Sequence, residues 1–136
     1  MESQVKRERA MDRGSISGFV VVLTMTFIAC AGLAFDGGRM ITARIEIADV
    51  AENAARAGAQ EVTLLRSGNP TVHEIRAVSV AEQFLRSISV EGTVTANKQS
   101  VTVTAHREVT MTILGIFGVR NKDLSVSRSA RPFVSP

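Results

Sequence analysis

The stretch Ile16–Phe35, ISGFVVVLTMTFIACAGLAF, decides the architecture of this 136-residue chain. It contains no charged residue. As a helix rising about 1.5 Å per residue it would reach roughly 30 Å, which is the thickness of the hydrocarbon core of a bilayer. We therefore predict three segments: a head at residues 1–15, a transmembrane helix at residues 16–35 and a folded domain at residues 36–136.

Basic residues are concentrated on the N-terminal side of the apolar stretch. Lys6, Arg7, Arg9 and Arg13 precede it. On the other side only Arg39 and Arg44 lie nearby. Because basic flanks stay in the cytoplasm, we predict a single-pass protein of the cytoplasmic (inner) membrane, with the head inside and an extracytoplasmic domain.

Three processing reactions compete with a retained anchor. The small residues Ala29-Cys30-Ala31 are typical of a signal-peptidase site, and Cys30 is a candidate for lipidation. Cleavage of the prepilin type would fall after Gly14, but Phe19 stands where that signal normally has Glu. The apolar run continues to Phe35, which is longer than a usual signal core and favours retention, although all the alternatives stay open.

Two helices are predicted after the apolar stretch. Apolar residues recur every three or four positions from Met40 to Leu65, so the span is expected to continue as a long Ala-rich helix. The residues expected on its apolar stripe are Met40, Ala43, Ile47, Val50, Ala54 and Ala57. Ser67–Pro70 is predicted to end this helix and to place Pro70 at the start of a second one. The second helix would carry Ile75 on its apolar face and end near Ser87.

A period of two then predicts strands. Apolar and polar residues alternate over Ile88–Ala96 and Val101–Ala105, with a turn at Asn97–Gln99 between them, and a last strand covers residues 124–130. The apolar Thr110–Gly118 is expected to form a short helix or coiled connector that covers the sheet. The fold class is thus α+β. A transmembrane helix continues into a long Ala-rich helix, followed by a second helix and a small antiparallel sheet of about three strands, in a pilin-like layout.

Small residues spaced four apart point to helix packing in the membrane. Such spacing lets two helices approach closely in lipid. The candidate assembly residues are Gly14, Gly18, Cys30, Ala34 and Gly38. Asp36 and Arg39 follow the span directly, so we expect them at the membrane interface, where they would set the depth of the helix.

The chemistry-bearing residues form no pattern typical of a catalytic or cofactor site. His73 and His106 lack a second ligand at metal-binding spacing. Asp123–Ser127 matches the D-x-S-x-S string of some metal sites, but it opens an alternating strand with its serines on the solvent side. No basic cluster follows Arg39, and the chain has no Trp or Tyr, which argues against nucleic acid. We predict no enzyme activity, no cofactor, no metal, no nucleic acid and no small-molecule substrate.

The order of these pieces resembles the TadE/TadG family of the Tad (tight adherence, Flp pilus) system. The resemblance extends from Arg13 to Ala130. It rests on Arg13-Gly14-Ser15-Ile16, the apolar span, Asp36-Gly37-Gly38-Arg39, the phrase Ala51–Ala59, and the later segments Val101–Thr104, Leu114–Ile116 and Leu124–Ser127.

The resemblance implies a membrane-anchored, minor-pilin-like component of a pilus or secretion system. Its partners would be the lipid bilayer, other Tad-system membrane and pilin-like proteins, and further copies of itself. The alternative is an extracytoplasmic binding module that is either secreted by a signal peptide or anchored.

Overall fold

The computed structural model describes residues 2–63 and 71–132, and within those ranges the surroundings of side chains from residue 16 onward, Thr63 excepted. The elements are α1 (Glu2–Ala59), β1 (Val62–Thr63), β2 (Thr71–Val72), α2 (Glu74–Ser87), β3 (Glu91–Asn97), β4 (Ser100–Val109), α3 (Ile113–Ile116) and β5 (Lys122–Ala130). This order confirms the predicted α+β class with one long N-terminal helix.

Helix α1 is continuous over 58 residues. It passes through the predicted segment boundaries at residues 15/16 and 35/36 without a break, so the predicted continuation of the span into the Ala-rich helix is confirmed. The predicted end near Leu65 is wrong. After Ala59 the chain turns, with the Glu61 amide bonded to the Gly58 carbonyl at 3.1 Å, and enters β1, which pairs with β2.

The chain forms two compact units. Within the described residues, the first comprises α1 up to Gly38 together with Met111–Arg120, and the second comprises Arg39–Thr110 and the residues from Asn121 onward. Both units therefore contain part of α1.

The second unit is built on a three-stranded antiparallel sheet in the order β3-β4-β5. Asn97 and Ser100 face each other at the hairpin end. The Asn97 side-chain oxygen accepts hydrogen bonds from the backbone amides of Gln99 and Ser100, each at 2.8 Å, as is typical of Asn in tight turns. The predicted hairpin, its turn and the last strand are confirmed, but β3 begins at Glu91 and not at Ile88, which is the C-cap residue of α2.

Small residues let α1 lie close to α2 and the sheet in the second unit. A Cβ atom at Gly58 would lie only 2.7 Å from the carbonyl oxygen of Ala77 and 3.2 Å from a methyl group of Val101. The buried core consists of Ile47, Ala51, Ala54, Ala55, Ala59, Val72, Ala77, Ala81, Leu85, Val101, Val103, Ala105 and Val126. Ile47 and Ala54 were predicted on the apolar stripe, whereas Ala57 is only half-buried.

Helix α2 begins later than predicted. Thr71 and Val72 are paired in β2, so the helix starts at Glu74 and not at Pro70. His73 takes the N-cap position, where its Nδ1 accepts a bond from the Arg76 amide at 3.4 Å. The predicted stop signal at Ser67–Pro70 lies outside the described residues.

Ile75 is also corrected, because its side chain is 80% exposed. The helix buries Ala77, Ala81 and Leu85. Ile75 lies roughly 200° around the helix from Ala77, on the opposite side.

The segment Thr110–Gly118 forms the short helix α3, as predicted. It packs against α1 at Gly32 and Asp36, and the expectation that it covers the sheet stays a prediction. This contact is described below.

The close packing at Gly58 gives a first testable prediction. In an open helix position Gly→Ala stabilises by up to about 1 kcal/mol. At Gly58 the added methyl group overlaps backbone, so Gly58→Ala should destabilise the protein by roughly 1–3 kcal/mol. Thermal unfolding followed by circular dichroism in detergent measures this. The control is Gly37→Ala, whose Cβ would meet no atom within 4 Å. Equal melting temperatures for the two variants would contradict the prediction.

Candidate assembly surface

The apolar part of α1 is exposed along its length. Ile16–Ala59 contains, among the described residues, the one helical stretch long and apolar enough to cross a membrane. Phe19 and Phe27 are each 67% exposed, and Leu33 is 64% exposed. Large apolar side chains that the chain itself does not cover mark a surface for lipid or for another helix. An N-terminal helix of this kind suggests membrane anchoring.

The hydroxyl groups within this stretch are satisfied by the helix itself. Thr24 Oγ1 donates to the Val20 carbonyl at 2.8 Å, and Thr26 Oγ1 donates to the Val22 carbonyl at 2.9 Å. Hydrocarbon offers no hydrogen-bond partners, so a helix in lipid must supply them internally. Both threonines are thus compatible with an apolar solvent.

The predicted assembly residues are open on this chain. A Cβ atom at Gly18 or Gly38 would meet no atom within 4 Å, and Cys30 and Ala34 are exposed. Gly14 precedes the residues whose surroundings are described. Packing of a partner on these residues therefore stays a prediction.

Gly32 is the glycine of the apolar stretch that packs against another part of this chain, and it is not among the predicted assembly residues. It is buried, and a Cβ there would lie 2.6 Å from Cγ2 of Ile113 and 3.7 Å from Cδ2 of Leu114. Only a glycine lets α3 approach α1 this closely. The available signal was its position four residues before Asp36, which puts both on one face of the helix.

Asp36 holds α3 by its backbone. Its side chain is 1% exposed. Oδ1 accepts a bond from the Thr112 amide at 3.0 Å, and Oδ2 accepts bonds from the amides of Ile113 at 3.0 Å and Leu114 at 2.7 Å. Thr112, the N-cap residue of α3, makes no capping bond with its own side chain. The carboxylate of Asp36 supplies that function, and its charge strengthens the three bonds.

Two faces of α1 therefore differ. Cys30 and Ala34 lie roughly 160° and 200° around the helix from Gly32. α3 occupies the Gly32/Asp36 face, whereas the opposite face, with Cys30 and Ala34, is not covered by it. Arg39 is exposed at the end of the apolar stretch, where the prediction placed it along the chain. The depth of Asp36 and Arg39 in a membrane stays a prediction.

The second unit presents a hydroxyl-rich sheet surface. Thr102 and Ser129 bond through their hydroxyl groups at 3.1 Å, and Thr104 and Ser127 do so at 3.2 Å. The D-x-S-x-S string thus has Ser127 bonded across the sheet to Thr104. Over residues 16–63 and 71–132, no group of three or more His, Cys, Asp or Glu side chains is arranged to hold a metal ion.

A cleft of about 680 Å³ lies at one end of the sheet. It is lined by Ile88, Ser89, Val90, Glu91, His106, Arg107, Glu108 and Asp123. Glu108 accepts a bond from the Asn121 side-chain amide at 2.8 Å, and Arg107 is paired with Glu46. Two of its charged groups are therefore already paired within the chain.

Comparison with known protein families finds a match over part of the chain. The family described as "Putative Flp pilus-assembly TadE/G-like" matches residues 14–61, which are the apolar stretch and the Ala-rich half of α1. The resemblance predicted from the sequence is confirmed over that segment. Neither the curated proteins nor the solved structures give a match. The match supports involvement in Flp pilus assembly, alongside other assembly components, and the family is one of structural and assembly proteins.

Removing the Asp36 carboxylate should release α3. Asp36→Ala leaves three amide donors without their acceptor, at a cost of about 2 kcal/mol, which corresponds to roughly thirty-fold faster exchange of those amides. Hydrogen–deuterium exchange of residues 111–119 in the full chain measures this. Asp49→Ala, an exposed aspartate on the same helix, is the control and should leave the segment protected. Equal protection in both variants would show that the carboxylate does not hold α3.

Proposed function

We propose that this chain is a minor-pilin-like, membrane-anchored structural component of a Tad/Flp-type pilus assembly system. The observation that carries the proposal is the continuity of α1. One unbroken helix joins an exposed apolar stretch to an Ala-rich half, which packs into a small α+β unit, and the family match covers both parts.

The anchor would lie in the cytoplasmic membrane with residues 1–15 inside and residues 36–136 outside. The basic residues of the head support this orientation, since Lys6, Arg7, Arg9 and Arg13 precede the span. Exposure of the apolar side chains supports a lipid environment, because a core helix of a soluble domain would bury them.

The physical role would be that of a stalk. The span and the Ala-rich half belong to one continuous helix, α1, so the folded domain would be attached directly to the anchor. The open face of Cys30, Ala34 and Gly38, together with Gly18, would receive partner spans. Other membrane and pilin-like proteins of the same system, or a second copy of this chain, would supply them. The work would consist of scaffolding or filament assembly, with no bond made or broken.

The function is tested by deleting the gene in the native host. We expect cells to lose Flp pili by electron microscopy and to regain them when the full chain is supplied. A matched variant with Ile16–Phe35 removed should not restore them. Normal piliation in the deletion strain, or release of the chain into the medium as a mature form starting at Gly32, would contradict the proposal and favour a secreted binding module.

The open face is tested through the native thiol. Oxidation of membranes should cross-link Cys30 to a partner span that carries a thiol or to a second copy of this chain. Ala34→Leu should lower the yield several-fold, because a bulky side chain keeps the helices apart. The control is Ala29→Leu, because Ala29 lies roughly 140° around α1 from Ala34. Unchanged cross-linking in Ala34→Leu would show that partners do not use this face.

A further inference from the structure

α3 lies next to the C-terminal end of the apolar stretch of α1. It docks at Gly32, which lies inside Ile16–Phe35, and at Asp36, which immediately follows it. At about 1.5 Å per residue, Gly32 lies roughly 4–5 Å along the helix before Phe35, the last residue of the charge-free stretch. Ile113, which contacts Gly32, therefore lies at the level of the outer end of the span.

The large exposed side chains of the segment Met111–Val119 are apolar, and Thr112 is its one exposed polar residue before Arg120. Ile116 is 82% exposed, Phe117 is 51% exposed and Val119 is 40% exposed. The segment from Val109 to Val119 contains no charged residue. Beside it on α1, Leu33 and Phe35 are also exposed. The apolar surface of α3 is therefore continuous with that of the span, and Arg120 follows where a basic side chain could reach headgroups.

Several backbone N–H groups of this segment already have hydrogen-bond acceptors within the protein and do not need water. The amides of Thr112, Ile113 and Leu114 are bonded to Asp36. After α3, the amides of Phe117 and Val119 donate to the Leu114 carbonyl at 3.0 and 3.1 Å, and that of Gly118 donates to the Gly115 carbonyl at 3.1 Å. Backbone N–H groups without a hydrogen-bond acceptor are excluded from hydrocarbon. The bonds described here give an acceptor to six backbone N–H groups of this segment.

We infer that Met111–Val119 is a second membrane contact, a short apolar wedge that lies beside α1 in the outer leaflet. The partner is the lipid bilayer, at the boundary between headgroups and acyl chains. Asp36 replaces the water that the entering amides lose. The wedge widens the anchor and fixes which face of α1 points toward it at the outer surface. This inference rests on the proposed membrane anchor.

Depth-dependent quenching tests the wedge in the full chain. In a Cys30→Ser background, single cysteines introduced by Phe27→Cys, Ile116→Cys and Ile75→Cys carry an environment-sensitive fluorophore. The protein is reconstituted into phosphatidylcholine vesicles that contain nitroxide lipids, labelled either near the headgroup or deep in the chain. Ile75 is the matched control, since its side chain is 80% exposed on α2 in the second unit.

We expect deep nitroxides to quench the Phe27→Cys label and shallow nitroxides to quench the Ile116→Cys label several-fold more than the Ile75→Cys label. Quenching at Phe27→Cys without excess quenching at Ile116→Cys would overturn the wedge and leave the anchor intact. Absence of quenching at Phe27→Cys would overturn the anchor and the proposed function with it. An unquenched, blue-shifted label at Ile116→Cys would mean that another protein chain covers this surface, which also overturns the wedge.

The role of Asp36 is tested in the same vesicles. Adding Asp36→Ala should reduce the shallow quenching at Ile116→Cys several-fold, because amides without an acceptor must return to water, whereas quenching at Phe27→Cys should not change. Asp49→Ala is the control and should leave both signals as they are. Full retention of the Ile116→Cys signal in Asp36→Ala would refute the carboxylate as the group that lets the segment enter.

Discussion

A carboxylate that leaves water at the end of an apolar helix must find its hydrogen bonds within the protein. Asp36 finds three in the backbone of a segment 76 to 78 residues further along the chain. The same bonds supply the first amides of α3, which have no acceptor within their own short helix. The same hydrogen bonds therefore compensate both the carboxylate of Asp36 and the first amides of α3 for the loss of water. The contact also gives α3 its place, because Gly32, one turn earlier, leaves room for Ile113.

Small residues serve two purposes along α1. At Gly32 and Gly58 the space is filled by atoms of this chain, and an added methyl group would overlap them. At Gly18 and Gly38 the space is empty. The contact at Gly32 lies within the first unit and the contact at Gly58 lies within the second, whereas packing of other helices on Gly18 and Gly38 stays a prediction. Sequence spacing alone does not separate these classes, because both look like small residues at helical intervals.

Small residues permit close packing in both halves of α1, and the physical reason depends on the solvent around the helix. Outside lipid, alanines give the helix a high propensity and let it approach α2 and the sheet at short range. Inside lipid no hydrophobic effect drives helices together, so close packing of small residues must do so. The match over residues 14–61 spans both halves.

The sequence by itself determined the periodic features. A charge-free stretch, a helical repeat of Ala and Ile47, and the alternation of Val101 and Val103 with threonines each encode their structure locally, and α1, the hairpin and the last strand follow them. Only the tertiary structure decided where α3 packs, where α2 begins and why Asp36 is buried. Those outcomes depend on pairs of groups far apart in the chain, such as Asp36 with the Ile113 amide or β1 with β2, and no local repeat records which distant partner a polar group will find.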